Sequence, residues 1–432
     1  MKLKNLKINS HYHLKDLEFD FTYPKGHTKE GQLLDKVCII GQSATGKTKI
    51  LNLIFDELEY LLHFKISDVG GVSLSENYIK ELDGELAIEL IEEEFDEIKS
   101  DIVSNNNYVI YDDQEYDLTN NEGEVFNYLI SNGDDKIIYF ESNYLTNENI
   151  KHFKTNPLEF VFDDSKKDED NNVVFHYRFK ESQNDEYILK LLKSFLDFRQ
   201  KYDQKIRELL LGGVISDLDK FNREFKEWQI ENPNPIVEFS KRFDRLLDKL
   251  NLEIDKVNVD YPIPFKNKIT NEIIPIDGLS TGTKGLLLYM LPLYQIDTDK
   301  SIILIDEPER SLYPDMQMEI MDFYRGIAPN AQFIIATHSP FIAASFEPEE
   351  RFILYFDEEG KVKFRNGVSP IGDDPNDILK SDFQLEYLMN KDGRNAYEKY
   401  IKLKKALAEE TDKQKKDKIL DELMEIGTAY KF

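Results

Sequence analysis

Residues 41–48, GQSATGKT, follow the apolar run VCII and lead into the stretch KILNLIFDELEYLLHF. This octet constrains the fold more than any other feature, because a glycine-rich loop of this spacing works only between a buried strand and a helix. Gly41 and Gly46 let the backbone curl, so that successive N–H groups through Ser43, Ala44 and Thr45 to Lys49 point at phosphate oxygens. Lys47 adds a point charge near the β and γ phosphates, and the Thr48 hydroxyl is placed to bind Mg²⁺. The run KVCII supplies the strand, and Ile50, Leu53, Ile54 and Leu58 repeat at helical spacing after the loop.

The remainder of the chain bounds what that loop serves. With 432 residues there is room for two or three domains, or for one large domain carrying an insertion. Hydrophobic residues at 41% and charged residues at 32% describe a globular composition rather than a disordered one. No apolar run approaches the roughly 18 residues that span a bilayer, and MKLKNLKINS lacks the apolar core of a signal peptide, so a cytoplasmic protein without membrane contact is expected. Cys38 is the only cysteine, which excludes an intrachain disulfide framework and a four-thiolate zinc site. A net charge of −28 disfavours a general nucleic-acid coat, although a local basic groove is compatible with it.

Periodicity divides the chain. Leu3 to Phe21 alternates as an antiparallel strand pair, and a β-rich region from Gly84 to about Phe179 contains GELAIELIEEEF, NYVIYDDQEYDL, KIIYFESNYL and VVFHYRF. From Glu186 the period becomes helical and predicts three helices before Asp260, a helical insertion packed on itself. The first carries Ile188, Leu191, Phe195, Phe198 and Tyr202 and stops at Gly212-Gly213. The boundaries are placed at 1–183, 184–255, 256–370 and 371–432, the last a charged helical tail for partner or oligomer contacts.

Three further motifs carry chemistry. SIILIDEPERSLYPD is a buried strand that delivers Asp306 and Glu307 at its carboxyl end, where ligands of open α/β sheets bind. Asp306 is placed to hold Mg²⁺ and Glu307 to polarise an attacking water as general base. IDGLSTGTKG puts Ser280 and Gly282 at a helix N-terminus, which suits a γ-phosphate through hydrogen bonds and the helix dipole. QFIIATHSP delivers Thr337 and His338 from another apolar strand.

The P-loop, LSTGTK, IILIDEPE, SLYPD and ATHSP, in that order, resemble the head domain of ABC-type, AAA-like ATPases of the SMC and RecF branch, over roughly residues 1–64 and 270–360. The resemblance implies an α/β fold: a mixed β-sheet core with flanking helices, an antiparallel β subdomain, a helical insertion and a helical C-terminal tail. It implies ATP and Mg²⁺ as ligands and His338 as the switch histidine at the γ-phosphate. It also implies that Ser280, Gly282 and Lys284 act in trans, completing the ATP site of another head, so that dimers of heads, or a hexamer built from them, are expected. The D-loop match is Ser311 to Pro314, with Tyr313 in place of the commoner histidine. A Q-loop glutamine is missing: KIIYFESNYL offers Glu141 and Ser142 instead. The adenine contact is expected near His11 and Tyr12.

Long coiled-coil arms, a CxxC hook and a Toprim segment after ATHSP are all missing from the sequence. The chain therefore resembles the compact ATPases of anti-phage defence operons, such as the Septu, retron-associated Septu and PARIS subunits. That resemblance implies a slow ATPase that scaffolds or senses, controls a separate HNH or Toprim nuclease, answers to a phage protein or DNA, and has no nuclease of its own. The alternative is a DNA-repair ATPase of the RecF type that binds DNA directly.

Overall fold

In the computed structural model, residues 1–70, 85–91, 102–105, 108–111, 114–117, 136–144, 176–180, 185–213, 217–256, 261 and 263–432 are described. The alternation at the start of the chain folds as an antiparallel hairpin, β1 (Lys2–His11) and β2 (Leu14–Asp20). It buries Leu3, Leu6, Ile8, Leu14, Leu17 and Phe19. Leu6/Ile8 and Leu17/Phe19 follow the period of two, while the three-residue steps from Leu3 and from Leu14 fall at a register shift before Asn5 and at Asp16, whose φ is +53°. β3 (Lys36–Gly41) follows and feeds α1 (Lys47–Gly70). Strands β4 (Glu85–Ile91), β5 (Ile102–Asn105), β6 (Tyr108–Tyr111) and β7 (Gln114–Asp117) extend the hairpin into an antiparallel sheet of order β2-β1-β4-β5-β6-β7.

The second sheet carries the chemistry. β8 (Lys136–Phe140), β9 (His176–Phe179), β13 (Ser301–Asp306), β14 (Gln332–Ala336), β15 (Arg351–Phe356) and β16 (Val362–Asn366) join β3 in the order β16-β15-β3-β14-β13-β8-β9. Every neighbour pair is parallel except β15–β16. The short strands β10 (Leu252–Ile254), β11 (Phe265–Asn267) and β12 (Ile273–Ile274) form a separate antiparallel sheet. The near-continuous apolar runs of β3, β13 and β14 reflect burial on both faces. Cys38, Ile40, Ile303, Ile305, Phe333 and Ile335 enter one core, while Val37, Ile39, Ile302, Leu304 and Ile334 enter the other. At roughly 2 kcal/mol for each fully buried aliphatic side chain, these alternate positions hold the sheet between its two layers.

The helices after the β-rich region are α2 (Asp185–Leu211), α3 (Leu218–Glu231), α4 (Pro235–Lys249) and α5 (Thr281–Gln295). The expectation of an insertion packed on itself needs correction. Leu191, Leu192 and Phe195 of α2 and Phe239, Phe243, Leu246 and Leu247 of α4 belong to the main core, with Tyr294 of α5 set edge-on to Phe239 at 5.4 Å. The cause is α5, which is buried at nearly every position from Gly282 to Leu293 and so needs cover on the sides turned away from the sheet. Only the distal part packs on itself, through Phe198–Trp228 and Tyr202–Phe225 contacts between α2 and α3, and α3 buries no residue fully.

α6 (Pro314–Ile327) and α7 (Pro340–Ala343) follow β13 and β14, and α8 (Pro375–Ser381) follows β16. Fully buried Arg351 pairs with fully buried Asp382 at 2.9 Å and donates to the Ala343, Phe346 and Ser369 carbonyls, locking β15, α7 and the end of α8 together. GDDPND forms the turn into α8, capped by Asp374. The chain ends in an antiparallel hairpin of α9 (Lys391–Glu409) and α10 (Lys413–Tyr430). Among the described residues no helix is long and apolar enough to cross a membrane. The fold is thus the expected α/β one: mixed sheet with flanking helices, antiparallel β subdomain, inserted helices and helical tail.

Candidate nucleotide site

β3, β14 and β13 are adjacent and parallel, so their carboxyl ends deliver the P-loop, Thr337-His338 and Asp306-Glu307 to one edge of the sheet. In the loop, Ala44 and Gly46 take φ values of +67° and +98°, which reverses the chain tightly. A Cβ at Gly46 would come within 2.9 Å of Leu14 and 3.0 Å of His13, because the β1–β2 turn lies against the loop. Thr45 is buried and its hydroxyl donates to the Gln42 carbonyl at 2.8 Å. The Lys47 ammonium is folded across the loop and donates to the Gly41 and Gln42 carbonyls at 3.0 and 3.2 Å.

The loop fits a polyphosphate on its own geometry. The amides of Ser43, Ala44 and Gly46 meet no acceptor among the described residues, and the buried Lys47 ammonium has only carbonyls for partners. A concave set of free donors with a nearly desolvated cation is an anion cradle. Thr48 Oγ1 donates to Asp306 Oδ2 at 2.9 Å, which brings together the hydroxyl and carboxylate expected to hold Mg²⁺, two hard oxygen ligands of the kind that ion takes. The Lys49 ammonium lies 4.6 Å above the Tyr12 ring. Tyr12 is 70% exposed at φ +51°, a flat aromatic surface beside the loop.

Burial dominates the electrostatics. Asp306 is 2% exposed, and its carboxyl is pushed up to about 6, chiefly by desolvation, with Glu307 and Glu309 adding to the shift while Thr48 and Lys47 oppose it. Lys47 is shifted downward by burial, against the pull of Asp306, Glu307 and Glu309. His338 is lowered by desolvation and by the Lys47 charge, which favours the neutral imidazole; Glu307 pulls the other way. Its Nε2 lies 4.0 Å from Glu307 Oε1. Glu307 adopts φ +51°, a left-handed conformation that costs a non-glycine residue on the order of 1 kcal/mol, while its N–H donates to the Ala336 carbonyl at 2.8 Å. The turn aims the carboxylate off the end of the strand, between His338 and Arg310, whose Nε is 4.0 Å away.

Two residues of the site were not singled out from sequence. Glu309 accepts the His338 N–H and the Thr337 hydroxyl, both at 2.7 Å, so the second glutamate of DEPE clamps the β14 end against the β13 end. Arg178 takes hold of the position where a Q-loop glutamine was sought. Its guanidinium donates to Glu141 at 2.6 Å, to Asp56 at 3.1 Å and to Asn52 at 2.8 Å, tying β8 and β9 to α1. Glu141 is therefore committed to an ion pair, and the Ser142 carbonyl accepts from Arg310. DEPE carried a signal for Glu309 in its second glutamate; Arg178 had none, since its partners are scattered along the chain.

The structure brings Lys47, Thr48, Asp306, Glu307 and His338 together, while the hydrogen bonds of Ser280 among the described residues stay within the first turn of α5. Ser280 is the exposed N-cap of α5, accepting from the Thr283 N–H at 3.1 Å. Gly282 is buried against the segment after β13: a Cβ there would meet the Ser311 carbonyl at 2.3 Å. Its smallness has an intrachain reason that sequence alone did not disclose. Lys284 is half-buried one turn into the helix.

The chain is similar in part to known proteins. An uncharacterized protein of Methanocaldococcus jannaschii is 23% identical over 158 residues, which is 34% of this chain and 40% of that one. The retron Vc95 probable ATPase of Vibrio cholerae serotype O1 biovar El Tor is 26% identical over 155 residues, 33% of this chain and 30% of that protein. The matched stretch thus spans less than half the length of either relative. Among solved structures, an Smc head bound to the C-terminal winged-helix domain of ScpA aligns with a TM-score of 0.42 at 12% identity, over 85% of this chain and 97% of that one. The SMC head domain from Thermotoga maritima aligns with a TM-score of 0.41 at 12% identity, over 85% and 100%. The AAA ATPase domain family matches residues 1–343, well over half of the sequence, and the chain belongs to that family.

Proposed function

We propose that this protein is a slow ATPase that serves as scaffold or sensor in an anti-phage defence complex, closing head to head on ATP and controlling a separate nuclease effector. The observation that carries the proposal is a half-site: Lys47, Thr48, Asp306, Glu307 and His338 converge, while the Ser280 side chain, at the exposed start of α5, hydrogen-bonds only to Thr283 among the described residues. A second copy would supply the missing γ-phosphate donors from Ser280 and Lys284. The loop amides and Lys47 bind and orient the phosphates; Tyr12 offers a stacking surface for the base. Bound Mg²⁺ supplies neutralisation of phosphate charge, with Thr48 and Asp306 as its holders. Glu307 takes the proton of the attacking water, and neutral His338, held by Glu309 through its backbone, orients toward the γ-phosphate. The relative named as a retron ATPase supports the defence setting, as does the compact head.

Glu307→Gln tests this reading. It should bind ATP, lose hydrolysis by about 10²-fold or more, and accumulate as an ATP-dependent multimer in mass measurements, because the phosphate contacts persist without turnover. Turnover at the wild-type rate would remove Glu307 from its role. Mass unchanged by ATP would remove head closure.

A further inference from the structure

Among the described residues no other helix or strand forms a second layer on the α9–α10 hairpin. Among the described residues α9 buries no side chain fully and α10 buries only Leu423. Its internal seam is thin: Tyr400, Leu403 and Leu407 on α9 and Ile419 and Ile426 on α10 are only half-buried, around buried Leu423. One flank of the seam is closed by the Lys399–Glu422 ion pair at 2.5 Å. The other flank is apolar: half-buried Ile401 on α9 and Leu420 (44% exposed) and Met424 (55%) on α10 line it, while Tyr397 (37%) at its end packs edge-on against Phe432 at 5.3 Å. Each pair is spaced i, i+4, and because the helices run antiparallel both pairs fall on the same side of the hairpin. Helices in proteins draw their stability mainly from packing an apolar face, and here such a face is in view.

We propose that this face pairs with the same face of a second copy, completing an antiparallel four-helix bundle without nucleotide. The size fits. Nineteen residues of α9 span about 28 Å, and two helices side by side are about 20 Å wide, so each copy would bury about 560 Å², or about 1,100 Å² in all. That exceeds the roughly 1,000 Å² a specific interface needs. The charges fit as well. With the two-fold axis parallel to the hairpin, each α10 lies antiparallel over the other copy's α9. The register that pairs Lys399 with Glu422 within a chain then sets Lys405 within one residue of Asp417 of the partner subunit. Both residues are exposed on the outer edges of their helices, and neither enters an ion pair among the described residues of its own chain. The opposite charges meet twice about the axis, as self-complementarity demands. This contact involves none of the nucleotide-site residues, so with the ATP-dependent contact each chain would carry two interfaces, enough to build assemblies larger than a dimer.

Sedimentation equilibrium of the full chain at micromolar concentration, in EDTA and without nucleotide, tests the proposal. The wild type should be dimeric, and the Leu420→Lys, Met424→Lys double variant monomeric with unchanged far-UV circular dichroism. Lys405→Glu, a surface change that spares the fold, should weaken the dimer about tenfold, and adding Asp417→Lys should restore it. A nucleotide-free wild-type monomer overturns the proposal, whether or not the face then captures a different protein. So does a dimer that survives both lysines, or a Lys405→Glu loss that Asp417→Lys does not repair. ATP-dependent trapping by Glu307→Gln, repeated in the double-lysine background, reads the head contact separately, so the two ideas fail independently.

Discussion

Asp306→Asn should stabilise the nucleotide-free protein at pH 8 while abolishing its response to Mg²⁺ and ATP. Asp306 is 2% exposed and its carboxyl sits at about 6, against an ordinary 3.8, mainly because burial disfavours the charged form. For an acid shifted upward in the folded state, the native protein holds the proton more tightly than the unfolded chain. Its stability therefore falls as pH rises from about 4 through about 6, and the full penalty is present above that window. A shift of about 2 units corresponds to about 3 kcal/mol at pH 8 and about half of that at pH 5. Asparagine keeps an acceptor for the Thr48 hydroxyl and carries no charge to desolvate, so it removes most of the penalty. Thermal or denaturant unfolding in EDTA at both pH values is the assay: the variant should gain up to about 3 kcal/mol at pH 8 and clearly less at pH 5. Adding Mg²⁺ and ATP should then stabilise the wild type and leave the variant unmoved. A variant no more stable than wild type at pH 8, or equally stabilised at both pH values, would refute the idea that this carboxylate is held charged at a cost until a cation arrives.

Lys47→Ala should lose nucleotide binding in a fluorescent-nucleotide titration, since it removes the ammonium folded across the cradle. Gly46→Ala should weaken nucleotide binding and cost roughly 1–3 kcal/mol of stability, because the Cβ combines φ +98° with contacts of 2.9–3.0 Å to Leu14 and His13. Gly282→Ala should destabilise the chain by a similar amount even without nucleotide, as the Ser311 carbonyl lies where the methyl must go; an effect seen only with ATP present would place Gly282 in the site alone. Asp382→Ala should cost roughly 3–5 kcal/mol by leaving the Arg351 charge buried without its partner, measured by unfolding and by faster proteolysis after α8.

What could be read in the sequence is local in origin. The P-loop, the apolar runs of β3, β13 and β14 and the acid pair at the end of β13 each depend on neighbours within a few residues, so the α/β fold and the residues gathered at the sheet edge were legible. The helices at 185–249 were legible as helices, because periodicity marks which face is apolar. Periodicity is silent on what that face meets, so their entry into the main core around α5 was missed. Arg178 lies 37 residues from Glu141 and 122 from Asp56, and no spacing rule joins them; only the parallel pairing of β8 with β9 beside α1 does. Gly282 makes the same point, since its Cβ space is taken by a carbonyl 29 residues away, a constraint that exists only once α5 is packed against the segment after β13. The sequence by itself determined which residues gather at the carboxyl edge of the parallel strands, because the glycine-rich loop and the strand-end motifs are local. The tertiary structure decided which of them are desolvated, strained or clamped, because burial and long-range contacts arise only when the sheet and helices close on one another.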